Sequence, residues 1–137
     1  MARITGADDH LKRLRKMTSG MRREAGKLVY TLADMHATEA ALLITSGAVS
    51  GKNHVVSTPG DAPNADTHLL DRSVHAERTG PLKAISAADA PYAAALEFGT
   101  QKVEERPFMR PAAKKVRKEA GSLSKAALNM VVKGGKL

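Results

Sequence analysis

The sequence predicts an α+β fold: a long N-terminal helix, a small antiparallel sheet built on a hairpin, and a C-terminal helix. Three observations carry this. Apolar or small residues recur at alternating intervals of three and four through the first third of the chain, which is one stripe on a helix. Residues 70–78 instead alternate with a period of two, as a half-buried strand does. After Pro111 the helical spacing returns. The 137 residues suit a single domain. Its expected parts are an N-terminal helix over 1–46, an extended loop over 47–67, a hairpin with an aromatic and proline segment over 68–111, and a basic helix and tail over 112–137.

The first helix is announced by Asp8 and Asp9, acids that suit the positive end of a helix dipole. Its stripe runs through Leu11, Leu14, Thr18, Met21, Ala25, Leu28, Leu32, Met35 and Leu42, with Glu39 as the misfit. Continuous to Ile44, it would be roughly 50 Å long at 1.5 Å per residue. Gly20 and Gly26 mark places where it could bend. A helix that long points toward a neighbouring copy. From Thr45 to Thr67 the character changes to Gly, Ser, Asn, Asp and Pro with little periodicity, a loop of the length that is usually functional or disordered. His54-Val55-Val56 could pair within it as a short strand. Leu70 to Arg78 and Leu82 to Ser86 read as the two strands, with Thr79-Gly80-Pro81 as the turn. Asp89 can cap a short helix starting at Pro91 and ending at Gly99, a third strand being the alternative. The last helix, about 112–132, carries Val116, Leu123, Leu128 and Val131 and frays at Gly134-Gly135.

Composition restricts the chemistry. Aromatics amount to two Tyr and two Phe, so the core is aliphatic. Cysteine is absent, which excludes disulfides, thiolate metal sites and cysteine nucleophiles. No apolar run reaches a membrane span, and MARITGADDHLKR does not read as a signal peptide, so a reducing cytosol or a particle assembled there is expected. The net charge of +8 lies entirely in residues 106–137, which hold nine basic residues and one acid, Glu119. A second basic cluster, Lys12, Arg13, Arg15, Lys16, Arg22, Arg23 and Lys27, sits on the first helix. Such clusters attract phosphate backbones or acidic surfaces, or are simply solvated helix faces.

Signals for catalysis are weak. Gly47-Ala-Val-Ser-Gly51-Lys52-Asn53 is one residue short of a phosphate-binding loop, lacks its Ser or Thr, and follows a helix. His54, Asp66 and His68 could meet a metal, but no ligand spacing supports it. No nucleophile elbow and no stacking platform for single strands is present. No enzyme activity, cofactor or metal is expected.

One segment rises above this background. Ala90-Pro91-Tyr92-Ala93-Ala94-Ala95-Leu96-Glu97-Phe98-Gly99-Thr100, followed by Arg106-Pro107-Phe108-Met109-Arg110-Pro111-Ala112, holds three of the four aromatics within 17 residues. Tyr92, Leu96 and Phe98 can pack as one patch. Phe108 and Met109, stiffened by Pro107 and Pro111, form either an apolar knob between Arg106 and Arg110 or core packing at a helix entry.

The string APYAAALEFGT…RPFMRPA resembles the signature of the head–tail joining, or tail-completion, proteins in the neck of long-tailed, siphophage-type bacteriophages, which also occur in prophages and gene transfer agents. Ser57 to Ser73 (STPGDAPNADTHLLDRS) is similar to the same family, which tends to place Asp-Thr-Gly-x-Leu after a Pro-Gly-acid-Pro loop. His68 stands where that glycine is usual. The resemblance covers roughly residues 57–113. It implies a small α+β virion protein in a homo-oligomeric ring, hexameric or dodecameric, between head-completion proteins and the tail terminator or tail tube. Genomic DNA would pass through the lumen, with no membrane involved. It implies a subunit or partner interface made by Tyr92, Leu96, Glu97, Phe98, Gly99, Arg106, Pro107, Phe108, Met109, Arg110 and Pro111. An inter-ring loop would hold Ser57, Pro59, Gly60, Pro63, Asp66 and Thr67. Lys114, Lys115, Arg117, Lys118 and Lys125 would face DNA or an acidic partner. A tail terminator or head-closure stopper is the alternative within the particle; a basic DNA-binding protein is the alternative of another class.

Overall fold

A computed structural model describes residues 6–133. In chain order it contains α1 (Ala7–Thr45), a single 3-10 turn (Gly51–Asn53), α2 (Leu69–Ser73), β1 (Val74–Gly80), β2 (Lys83–Ala88), α3 (Ala93–Phe98) and α4 (Met109–Val132). The α+β architecture is as expected from the sequence. The fray expected at Gly134-Gly135 lies outside the described residues.

Helix α1 is unbroken for 39 residues, about 58 Å at 1.5 Å per residue, and is the spine of the molecule. Helix α4 lies antiparallel along it. Near the start of α4, His36 Nε2 donates to the Met109 carbonyl at 2.9 Å, and Lys115 Nζ donates to Glu39 Oε2 at 2.7 Å. Near its end, Val131 and Lys133 line a groove with Arg13, Lys16 and Gly20. Glu39, the misfit of the apolar stripe, is therefore the anchor for a lysine of α4.

The hairpin pairs β1 with β2 alone, Val74 opposite Ala88 and Arg78 opposite Ala84, with an irregularity before Gly80. It begins later than the alternation implies: residues 69–73 close a helical turn, and the strand starts at Val74. Leu70 turns into the core from that helical turn, which an alternating strand would not require. The hairpin packs against α1. Gly26 makes this possible. A methyl group there would collide with the Pro81 carbonyl, and Arg78 donates to the Gly26 carbonyl at 3.4 Å. Gly26 marks a close approach, and the helix continues through it.

The core gathers at the C-terminal end of α1. Ala40 and Ile44 meet Ala65, Leu70, Ala90, Ala93, Phe108 and Ala112. Alanines let the helix backbones approach, and Phe108, fully buried, fills the space between them. The N-terminal half of the stripe is not covered: Leu11, Leu14 and Met21 are exposed.

The loop between α1 and α2 folds back on the body. Ala65 N–H donates to the Ile44 carbonyl at 3.0 Å, and Pro63 is buried. Asp66 Oδ1 accepts from the Gly51 amide at 3.0 Å, and Asn64 Nδ2 donates to the Val55 carbonyl at 2.8 Å. His54-Val55-Val56 joins no strand. No helix among the described residues is long and apolar enough to cross a membrane.

Candidate functional site

The two motif segments meet in space, and Glu97 joins them. Helix α4 begins at Met109, so the amides of Phe108, Met109 and Arg110 have no partner inside the helix. The Glu97 carboxylate, on α3, takes all three. Oε2 accepts from Phe108 at 2.8 Å and Met109 at 2.9 Å, and Oε1 from Arg110 at 2.9 Å. The next residue is Pro111, which has no N–H to satisfy. One buried carboxylate and one proline thus settle every amide at the entry of α4. The negative charge also suits the positive end of that helix.

Arg110 closes the clasp. Its Nε donates to Glu97 Oε1 at 3.0 Å, and Nη2 donates to the Glu97 carbonyl at 2.6 Å and to Glu105 Oε2 at 2.8 Å. Its guanidinium lies 5.5 Å from the centre of the Phe98 ring, a cation–π contact. Burial pushes the Glu97 carboxyl up, but the three amides and Arg110 outweigh it and hold its pKa below the ordinary value. The carboxylates of Glu105 and Glu97 raise Arg110 further above its already high value.

The rest of the motif supports this joint. Gly99 has φ +71°, and a side chain there would press on the Val103 carbonyl and the Glu105 amide, each 3.1 Å away. Thr100 Oγ1 accepts from the amides of Lys102 and Val103, shaping the turn. Arg106 N–H donates to the Leu96 carbonyl, and its Nε to the Ser57 carbonyl at 3.2 Å. Gly60 N–H, at φ +91°, donates to the Glu105 carbonyl at 2.9 Å. The 57–60 loop is therefore held against the 99–106 turn.

These positions select core packing at a helix entry over a projecting knob. Phe108 has no accessible surface, Met109 is half-buried against the core, and the side chains of Glu97 and Arg110 are engaged inside the chain. Leu96 packs on the core, so Tyr92, Leu96 and Phe98 do not share one exposed patch. Tyr92 and Phe98 remain exposed, Phe98 at 70%. In the loop, Pro63 is buried, Ser57 half-buried, and Pro59, Gly60, Asp66 and Thr67 exposed. On α4, Lys114, Arg117, Lys118 and Lys125 are exposed without an ion pair among the described residues; Lys115 is tied to Glu39.

His68 explains itself geometrically. It has φ +58°, the left-handed conformation glycine takes most easily. Its ring pins that turn: Nδ1 lies 3.2 Å from Asp71 Oδ2, and Nε2 is 3.5 Å from Ser50 Oγ. The order Ser–His–Asp is that of a hydrolytic relay. The adjacent Gly51 amide donates to Asp66 Oδ1. Asp66 and His68 are thus used locally, and His54 Nδ1 donates to the Val49 carbonyl at 2.9 Å. No three His, Asp or Glu side chains among the described residues could hold a metal ion.

Both segments of this clasp stood out in the sequence, as the Ala90–Thr100 and Arg106–Ala112 strings. The capping role of Glu97 carried no signal, because the cap lies eleven residues upstream on another helix. Comparison with family models, curated proteins and solved structures finds no match.

Proposed function

We propose that this chain is a structural protein of the neck of a tailed-phage-like particle, one subunit of a ring that joins a DNA-filled head to its tail. The observation that supports the reading is the clasp. The residues whose pattern resembles the neck family, Leu96 to Gly99 and Arg106 to Pro111, build one interlocked joint in which the Glu97 carboxylate takes three helix-entry amides and Arg110. A pattern with that much structural purpose argues for a shared fold, and the neck role follows from the resemblance. The role is one of contact: apolar side chains such as Phe98, Val55 and Val56 stand exposed on the body.

The test is the copy number of the chain in purified particles from its source, by quantitative peptide mass spectrometry. A low, ring-like multiplicity per particle is expected. Absence from intact particles, with the protein abundant in the cell, would overturn the reading.

A second reading, a DNA-binding protein, is favoured by the exposed cations Lys114, Arg117, Lys118 and Lys125 on one helix. It requires a gel shift that weakens steeply with salt, because phosphate contacts release counterions.

A further inference from the structure

Where the loop after α1 meets α2, Ser50, His68 and Asp71 form a chain of contacts. His68 Nδ1 donates to Asp71 Oδ2 at 3.2 Å, and Nε2 faces the Ser50 hydroxyl at 3.5 Å. The first contact orients the second. A carboxylate only accepts hydrogen bonds, so the neutral ring carries its proton on Nδ1 and Nε2 is bare toward Ser50. Both neighbours of Ser50 are held: the His54 ring donates to the Val49 carbonyl at 2.9 Å, and the Gly51 amide donates to Asp66 Oδ1 at 3.0 Å. Asp66 lies two residues before His68, so this bond ties the segment of the hydroxyl to the segment of the ring. Asp71 is largely covered, its side chain 13% exposed, and its buried Oδ1 has no hydrogen-bond partner among the described residues. Its one ion pair among those residues is with His68, so the cation it can meet is the imidazolium. Ser50 itself is exposed.

We infer that Ser50 is a nucleophile that takes an acyl group from a small activated ester, with His68 as its base and Asp71 positioning the ring. The Ser50 oxygen adds to the acyl carbon while its proton passes to His68 Nε2, and Asp71 balances the imidazolium. The bond between the acyl carbon and the leaving group then breaks. The leaving group departs with the proton from Nε2, and the acyl group stays on Ser50 as an ester. At 3.5 Å the hydroxyl and Nε2 stand slightly apart, as such pairs commonly do before a substrate closes them. The open position of Ser50 asks for a donor that carries its own activation, an aryl ester or thioester. Exposed Val49 and Leu69, next in sequence to Ser50 and His68, suit a short aliphatic acyl group. Pinning a turn does not account for His68, because its φ of +58° is one that glycine adopts without strain or pin. What the imidazole adds there is Nε2 turned to a hydroxyl. The inference is independent of the neck reading.

The test incubates the full-length protein with p-nitrophenyl acetate and maps the acetyl groups by peptide mass spectrometry. Ser50 should be acetylated about a hundredfold faster than an exposed serine without a base, such as Ser122 on α4. If water then clears the ester, the same excess is read as nitrophenolate release that Ser50→Ala abolishes. His68→Gly suits the backbone, so it should melt as the parent does, slow Ser50 acetylation about a hundredfold and recover when imidazole is added. His68→Asn, whose side chain also tolerates the left-handed conformation, keeps the base testable should the glycine variant unfold. Asp71→Asn should slow the reaction about tenfold and Asp71→Glu restore part of it. A carboxylate that only held the turn would shift the melting curve and leave the ratio of Ser50 to Ser122 labelling unchanged. Ser50 labelled no faster than Ser122 overturns the proposal, as does labelling that persists in a folded His68 variant. So does a loss that imidazole fails to restore in folded His68→Gly.

Discussion

At the C-terminal end of α1, Ala40 and Ile44 are sealed on several sides by α2, α3, α4 and the folded-back loop. At the N-terminal end of the same helix, the stem, Leu11 and Leu14 face water. The helix is one and its apolar residues are of one kind; the difference is what stands opposite them. Beside Ala40 the chain returns four times, and Phe108 fills the gap left by the alanines. Beside Leu14 nothing returns among the described residues but the end of α4. The comparison teaches that an amphipathic stripe specifies a helix and a face, and only the rest of the chain, or another chain, specifies whether that face is dry.

The contrast can be broken hardest at Phe108. Phe108→Ala empties the centre of the body and should cost about 3–5 kcal/mol, read as a lowered denaturant midpoint. A variant that unfolds like the parent would mean the body end is no better packed than the stem.

Next is the clasp. Glu97→Gln leaves three helix-entry amides and Arg110 without their carboxylate and should cost about 1.5–3 kcal/mol at neutral pH. The folded-state pKa of Glu97 is depressed, so its contribution is present in full above the unfolded value, near about 4.3, and is lost as pH falls through the folded one. The stability gap between parent and Glu97→Gln should therefore narrow on acidification below about pH 4.3. Urea unfolding of both proteins at neutral and at acid pH measures this, and a gap that widens would contradict the depressed pKa.

A smaller effect is expected at the midpoint of α1. Gly26→Ala gains helix propensity of about 1 kcal/mol but drives a methyl into the Pro81 carbonyl, with a strain of about 1–3 kcal/mol. The net change should be destabilising, and exchange of the amides in β1 and β2 should accelerate. A stabilised protein would show that the hairpin turn can step away freely.

The smallest effect belongs to the stem. Leu14→Ser should change monomer stability by no more than about 0.5 kcal/mol, as exposed substitutions do. A loss comparable to that at Phe108 would place Leu14 in a core and abolish the difference between the ends.

Much of the fold was legible in the sequence because it depends on local period. Helix α1 was readable from the three-and-four spacing and Asp8–Asp9, the end of α3 from Gly99, and the hairpin from its turn. The boundary at Val74 was not, since Leu70 alternates as well as it turns into the core. Gly26 was visible as a helix-breaking residue, but its purpose depends on Pro81, more than fifty residues away.

The sequence by itself determined the two long helices and the hairpin, the lack of thiol chemistry and the concentration of positive charge toward the C-terminus. Periodicity, composition and turn residues act within a few positions and need no partner. Tertiary structure alone decided that Phe108 is a core residue rather than a knob, that Glu97 caps a helix it does not belong to, that Glu39 anchors Lys115, and that α1 is sealed at Ala40 and Ile44 while Leu11 and Leu14 are bare. Each of these depends on groups distant in the chain arriving within hydrogen-bond or van der Waals range, and no spacing along the sequence records where they arrive.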